Sequence, residues 1–138
     1  MIFLDTSAIY AMADQADPQH DRAKEWFQEV LEAGEGILTH NYVLVEAMAL
    51  IQSRLGLAAA LKLAHDCRTF DIEWVDRPMH EEAVRRLARL GKRRLSVVDQ
   101  VSFLVMRRRG VRTHGSPGSA PPPPCPLPEH HAGPGCRS

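Results

Sequence analysis

Short apolar runs alternating with amphipathic helical stretches predict an α/β domain built around a mostly parallel sheet. Three observations carry this expectation. Ile2-Phe3-Leu4 and Ile37-Leu38-Thr39 are brief and almost continuously apolar, as strands buried on both faces are. Residues 18–31, 41–54, 57–68 and 79–90 read as helices. Phe70, Ile72 and Trp74 alternate with charged neighbours, the period of a half-exposed strand at a sheet edge. A chain of 138 residues with 44% apolar composition is long enough for one core that buries roughly two-thirds of its unfolded surface.

The elements follow in order. Ile2-Phe3-Leu4 ends in Asp5-Thr6-Ser7, which is expected to feed a loop with Asp5 at the strand's carboxyl edge. From Pro18 to Leu31 one helical face gathers Ala23, Trp26, Phe27 and Val30, and Gly34 and Gly36 stop the helix. After the second strand, Asn41 is expected to cap a helix that runs through Glu46 to about Arg54. Pro78 stands where helices begin, and residues 79–90 place Met79, Ala83, Leu87 and Leu90 opposite Arg85, Arg86 and Arg89. Ser96 caps the next helix. Its Val97, Val98, Val101, Phe103, Leu104, Val105 and Met106 leave almost no polar face and imply burial, and Arg107-Arg108-Arg109-Gly110 ends it with cations at its negative pole. Val111-Arg112-Thr113 begins a further strand that the following composition breaks off. Residues 114–138 hold eight prolines and one large aliphatic residue, Leu127, and read as a disordered or polyproline-like tail behind a domain of residues 1–113.

Seventeen basic residues balance seventeen acidic ones, but not evenly along the chain. Residues 1–36 carry eight acids and two bases, whereas residues 85–112 carry ten bases and one acid, Asp99. That asymmetry has two readings: a side that faces a polyanion, or two solvated helix faces of opposite charge. Cys67, Cys125 and Cys136 are odd in number and lack C-x-x-C spacing, so neither a disulfide framework nor a zinc site is indicated, and a reducing cytoplasmic setting is expected. The apolar start lacks a basic flank and is interrupted by Asp5, which argues against a signal peptide; no run of eighteen apolar residues suggests a membrane span.

Three acids stand out by position. Asp5 closes the first strand, Glu46 lies on the helix after the second, and Asp99 lies in the first turn of the helix behind Ser96. In open α/β sheets the functional crevice lies outside the carboxyl ends of the strands. Carboxylates that converge there repel unless a cation lies between them, a pattern suited to Mg²⁺ and phosphodiester hydrolysis. Each acid has a plainer role as well: Asp5 as a turn former, Glu46 as a side chain at the border of an apolar stripe reaching for water, and Asp99 as the far end of a Ser-x-x-Asp capping arrangement.

Met1-Ile2-Phe3-Leu4-Asp5-Thr6-Ser7-Ala8, then Thr39 through Glu46 in Thr-His-Asn-Tyr-Val-Leu-Val-Glu, then Leu95-Ser96-Val97-Val98-Asp99 resemble the successive motifs of PIN-domain ribonucleases. Their order and spacing are similar to those of VapC-like toxins of type II toxin–antitoxin systems, over roughly residues 1–113. The resemblance implies a three-layer α/β/α sandwich and an endoribonuclease that uses Mg²⁺ or Mn²⁺. It also implies an RNA substrate, a cognate antitoxin protein, a homodimer and no membrane. Asp5, Glu46 and Asp99 match the family's acidic metal-site positions, while Thr6 or Ser7 would supply a hydroxyl that orients the first carboxylate or a water on its metal. The chain departs from the pattern after Thr113, where PIN domains continue with a hydrophobic strand and another acid; Glu129 is the only acid of the tail. The last strand is therefore expected to be disrupted, and a catalytically impaired PIN-like module that binds RNA or a partner is the alternative. The break at His114 fits either a changed reading frame or a natural tail, which sequencing the encoding DNA separates. Two other classes that place an Asp after the first strand fit less well. A haloacid-dehalogenase-like phosphatase wants a second Asp where Ser7 stands, and a receiver domain wants an acidic pair at a strand end.

Overall fold

The computed structural model of the chain describes residues 1–91, 93 and 95–111, together with the backbone of residues 114–115. Four strands, β1 (Ile2–Leu4), β2 (Ile37–His40), β3 (Asp71–Glu73) and β4 (His114–Gly115), form a parallel sheet in the order β3-β2-β1-β4. Ile2 and Phe3 stand opposite Ile37 and Leu38, Leu38 to His40 opposite Asp71 to Glu73, and Phe3 and Leu4 opposite His114 and Gly115. β1 is thus paired on both sides, and Ile2, Phe3 and Leu4 have no accessible surface. That is why this segment reads as an unbroken apolar run.

The helices are α1 (Thr6–Ala13), α2 (His20–Glu32), α3 (Asn41–Leu55), α4 (Leu57–Asp66), α5 (Arg77–Leu90) and α6 (Val97–Arg109), with a 3₁₀ turn at Cys67–Thr69. α1 packs on α2 and α3, α3 on α4, and α5 on α6. The connections β1→β2 and β2→β3 step one way across the sheet, and β3→β4 steps back. Right-handed crossovers then place α1 to α4 on one face and α5 and α6 on the other, giving the expected α/β/α sandwich. Trp26 and Val30 of α2 are buried as the helical period requires, and Phe27 meets Phe70 edge-on at 6.0 Å between ring centroids. None of the described helices is long and apolar enough to cross a membrane.

Several sequence expectations are corrected. The loop expected after Asp5 is a helix that begins at once, because the Asp5 side chain caps it. Asn41 does not cap α3. His40 does, accepting from the Val43 amide, while Asn41 Oδ1 reaches across to the Val75 amide at 2.7 Å. α6 is not buried all round: Gln100, Val101, Ser102 and Val105 face inward, and Phe103 is 43% exposed, since a helix flanked by one sheet and one neighbour has a free side. The final strand exists but is two residues long, so His114 and Gly115 belong to the sheet rather than to the tail. The expectation of disorder beyond them lies outside the described residues.

Candidate active site

Parallel strands deliver their carboxyl ends to one edge of the sheet, and the sequence puts Asp5 at the middle of that edge. Asp5 leaves β1, which lies between β2 and β4. Its backbone is extended (φ −93°, ψ 177°) and its Oδ1 accepts the Ala8 amide at 2.9 Å, the geometry of a helix N-cap. Thr6, partly buried, and Ser7, exposed, form the first turn of α1. Beside them opens a cleft of about 410 Å³ bordered by Asp5, Ser7, Asp17, Gln19 and Arg22.

A buried tie brings Asp99 to the same end. His40, the last residue of β2, lies 2.8 Å from Ser102 Oγ through its Nε2, and Ser102 Oγ donates to the Val98 carbonyl at 3.0 Å. At the other end of α6, Arg108 and Arg109 pair with Glu73, and Arg109 also with Asp71, where β3 begins. Glu73 ends β3 in register with His40, so α6 is tied to the carboxyl edge through Ser102 and to β3 through its last two arginines. Asp99 precedes Ser102 by three residues, about 4.5 Å along the axis, and so lies within one turn of that tie. There its Oδ2 accepts from the Ser96 amide at 2.8 Å and from Ser96 Oγ at 3.1 Å, while Ser96 Oγ accepts from the Asp99 amide. The Ser-x-x-Asp capping arrangement expected from the sequence is thus present.

Glu46 is exposed, on the sixth residue of α3 and next to buried Ala47. Asp5 and Glu46 thus belong to segments that leave the carboxyl ends of β1 and β2, and Asp99 lies one turn before Ser102, which meets His40 at the end of β2. The structure does not gather them further: among the described residues no group of three His, Cys, Asp or Glu side chains could hold a metal ion. Asp5 and Asp99 accept instead from amides of their own helix starts.

The basic stretch is largely committed within the molecule. Arg85 and Arg89 pair with Glu82, Arg108 and Arg109 with the acids of β3, and Arg86 donates to Gln100 Oε1 at 3.3 Å. Arg93 and Arg107 have no such partner among the described residues, and Lys92, Arg94 and Arg112 lie outside them. Half of the charge asymmetry is therefore structural. Sequence reasoning missed His40 and Arg22. A histidine at a strand end and an arginine in a first helical turn carry no signature until their neighbours are known.

A parallel α/β/α sandwich with acids where strands give way to helices defines a class of hydrolase sites rather than one activity. Comparison narrows it: the chain matches the PIN domain over residues 2–113 and belongs to that family. It is 34% identical over 117 residues to the 23S rRNA-specific endonuclease VapC20 of Mycobacterium tuberculosis, in strains CDC 1551 / Oshkosh and ATCC 25618 / H37Rv alike, across 81% of this chain and 85% of the relative. The crystal structure of Mycobacterium tuberculosis VapC20, a sarcin-ricin loop cleaving toxin, matches with a TM-score of 0.73 at 33% identity, over 83% of this chain and 87% of that one. The protein is a VapC-like PIN-domain nuclease.

Proposed function

We propose that the protein is the toxin of a VapBC-like pair and hydrolyses RNA phosphodiester bonds with Asp5, Glu46 and Asp99 as its acidic residues and Thr6 and Ser7 as supporting hydroxyls. One observation carries the reading: in a PIN-family chain, Asp5 stands at the centre of the sheet's carboxyl edge and borders a polar cleft. The relative's substrate, the sarcin-ricin loop of 23S rRNA, is proposed as the substrate of this chain too. Dependence on Mg²⁺ or Mn²⁺ enters through the family resemblance and the chemistry of clustered acids. Because the three side chains are not gathered, no step of the cleavage is assigned to an ion.

The test uses the purified full chain and a hairpin RNA carrying the sarcin-ricin loop, with Mg²⁺, Mn²⁺ or EDTA. Cleavage is expected to require the divalent ion and to be lost in Asp5→Asn and Asp99→Asn. Since Asp99 also caps α6, Ser96→Ala is the control: it costs about 1 kcal/mol of stability yet leaves cleavage in place. Undiminished cleavage by both acid variants would remove the site assignment. The ungathered acids favour one second reading, a PIN-like module that binds RNA or a partner without cutting; in that case the hairpin binds and stays intact.

A cognate antitoxin, a homodimer and a cytoplasmic setting complete the proposal, supported by the relatives' toxin class and by cysteine usage. Coexpression with the neighbouring reading frame is expected to yield a complex whose mass contains two copies of this chain. A lone monomer in that experiment would refute the assembly.

A further inference from the structure

The cleft at Asp5 is bordered by one cation, Arg22, together with the carboxylates of Asp5 and Asp17. Arg22 is exposed, lies in the first turn of α2 and has no ion pair or hydrogen bond among the described residues. By contrast, Arg77, Arg85, Arg89, Arg108 and Arg109 are all paired with acids. The acids beside Arg22 are turned to other donors: Asp17 Oδ1 accepts from the Gln19 amide at 2.8 Å and Asp5 Oδ1 from Ala8. Gln19, the N-cap residue of α2, provides no side-chain cap, so the start of this thirteen-residue helix, whose first turn also carries Asp21, has no side-chain acceptor at its N-cap. Ser7 offers an exposed hydroxyl in the same cleft, whose volume lies in the range of about 300–1,000 Å³ that suits small-molecule ligands.

We propose that Arg22 grips a phosphate of the RNA backbone next to the scissile bond, with Ser7 as a second donor, and so lays the strand along the Asp5 cleft. Guanidinium binds phosphate through two parallel N–H donors, which fixes the strand's direction as well as its charge. Arg22 is thereby a substrate-positioning residue that takes no part in bond cleavage. The inference rests on the ribonuclease reading above.

Two measurements on the full chain test it. Binding of a fluorescein-labelled sarcin-ricin hairpin is followed by anisotropy in EDTA, where nothing is cut, and cleavage is followed separately with Mn²⁺. Arg22→Ala is expected to weaken binding about tenfold and to lower the salt slope by about 0.7, the value for one phosphate contact on a single strand. KM rises in step while kcat stays within about twofold, and Arg22→Lys recovers part of the affinity because the charge remains without the fork. Arg68→Ala, an exposed arginine outside the cleft, leaves both measurements at the wild-type value. Wild-type affinity and slope in Arg22→Ala, with the parent protein binding and cutting, would overturn the positioning role alone. A parent protein that neither binds nor cuts the hairpin would overturn the ribonuclease reading and this inference with it.

Discussion

At the end of β2 a single imidazole joins three elements. His40 Nδ1 accepts from the Val43 amide of α3, its Nε2 faces Ser102 Oγ of α6 at 2.8 Å, and its ring stacks on Phe3 of β1 at 5.7 Å between centroids. An amide can only donate, so Nδ1 is unprotonated and Nε2 carries the hydrogen given to Ser102. Burial favours the same neutral form and pushes His40 down to about 4 from its ordinary 6.5. The sign of the pH effect follows. Below pH 6.5 the unfolded chain takes up a proton that the folded chain refuses, so stability falls between pH 6.5 and 4 and levels off below. By pH 5 the loss from this group is about 2 kcal/mol. Urea unfolding at pH 7 and pH 5 is expected to show that decline in the parent and a smaller one in His40→Gln. An imidazole resonance for His40 that titrates near 6.5 would contradict the account even if the variant does not fold.

At the scale of elements, the N-caps explain what was legible. Ser96 and the Pro78 start were readable because Ser-x-x-Asp and an early proline are local patterns, and both appear where expected, with Asp76 as the cap before Pro78. Asp5 and His40 were read otherwise because each lies at a strand end, where sequence alone cannot tell a loop from an immediate helix. The Asn41 cap failed for a nonlocal reason: its side chain is drawn to the Val75 amide, 34 residues away. Hydrophobic period found the buried face of α2 and the Met79 and Ala83 part of that of α5, where Leu90 is exposed and Arg86 turns to Gln100, but it overstated α6. Gln100 and Ser102 lie inward there because Arg86 and His40 offer them partners, while Phe103 lies outward. Likewise, only Glu82, Glu73 and Asp71 reveal which arginines of residues 85–112 are already paired.

At the scale of the molecule, the interior strand depends on both neighbours. β4 supplies pairing for Phe3 and Leu4 on the side away from β2, over two residues only. A chain ended after Val111 leaves that edge of β1 open, and unpaired strand edges both lose hydrogen bonds and invite aggregation. Its thermal midpoint is expected to fall by about 5 °C, as befits the loss of about 1 kcal/mol from a domain of this size. A chain ended after Gly115 keeps its midpoint within about 2 °C, because the composition beyond it offers little to bury. Differential scanning calorimetry on the two truncations decides the point. Equal midpoints would mean that β4 adds nothing to the sheet.

Layer architecture, the order of most elements and the family were written in the sequence by itself, since apolar period, Gly and Pro positions and the three acidic motifs are short-range patterns. The particular partners of those acids were decided by tertiary structure. Asp99 bonds Ser96, Asp5 bonds Ala8, and His40 ties the end of β2 to Ser102 of α6. The same holds for Arg22, whose lack of an acidic partner depends on where Asp5 and Asp17 turn. Residue type and spacing set what a side chain can do, but which donor or acceptor lies within 3 Å of it is a property of segments far apart in the chain.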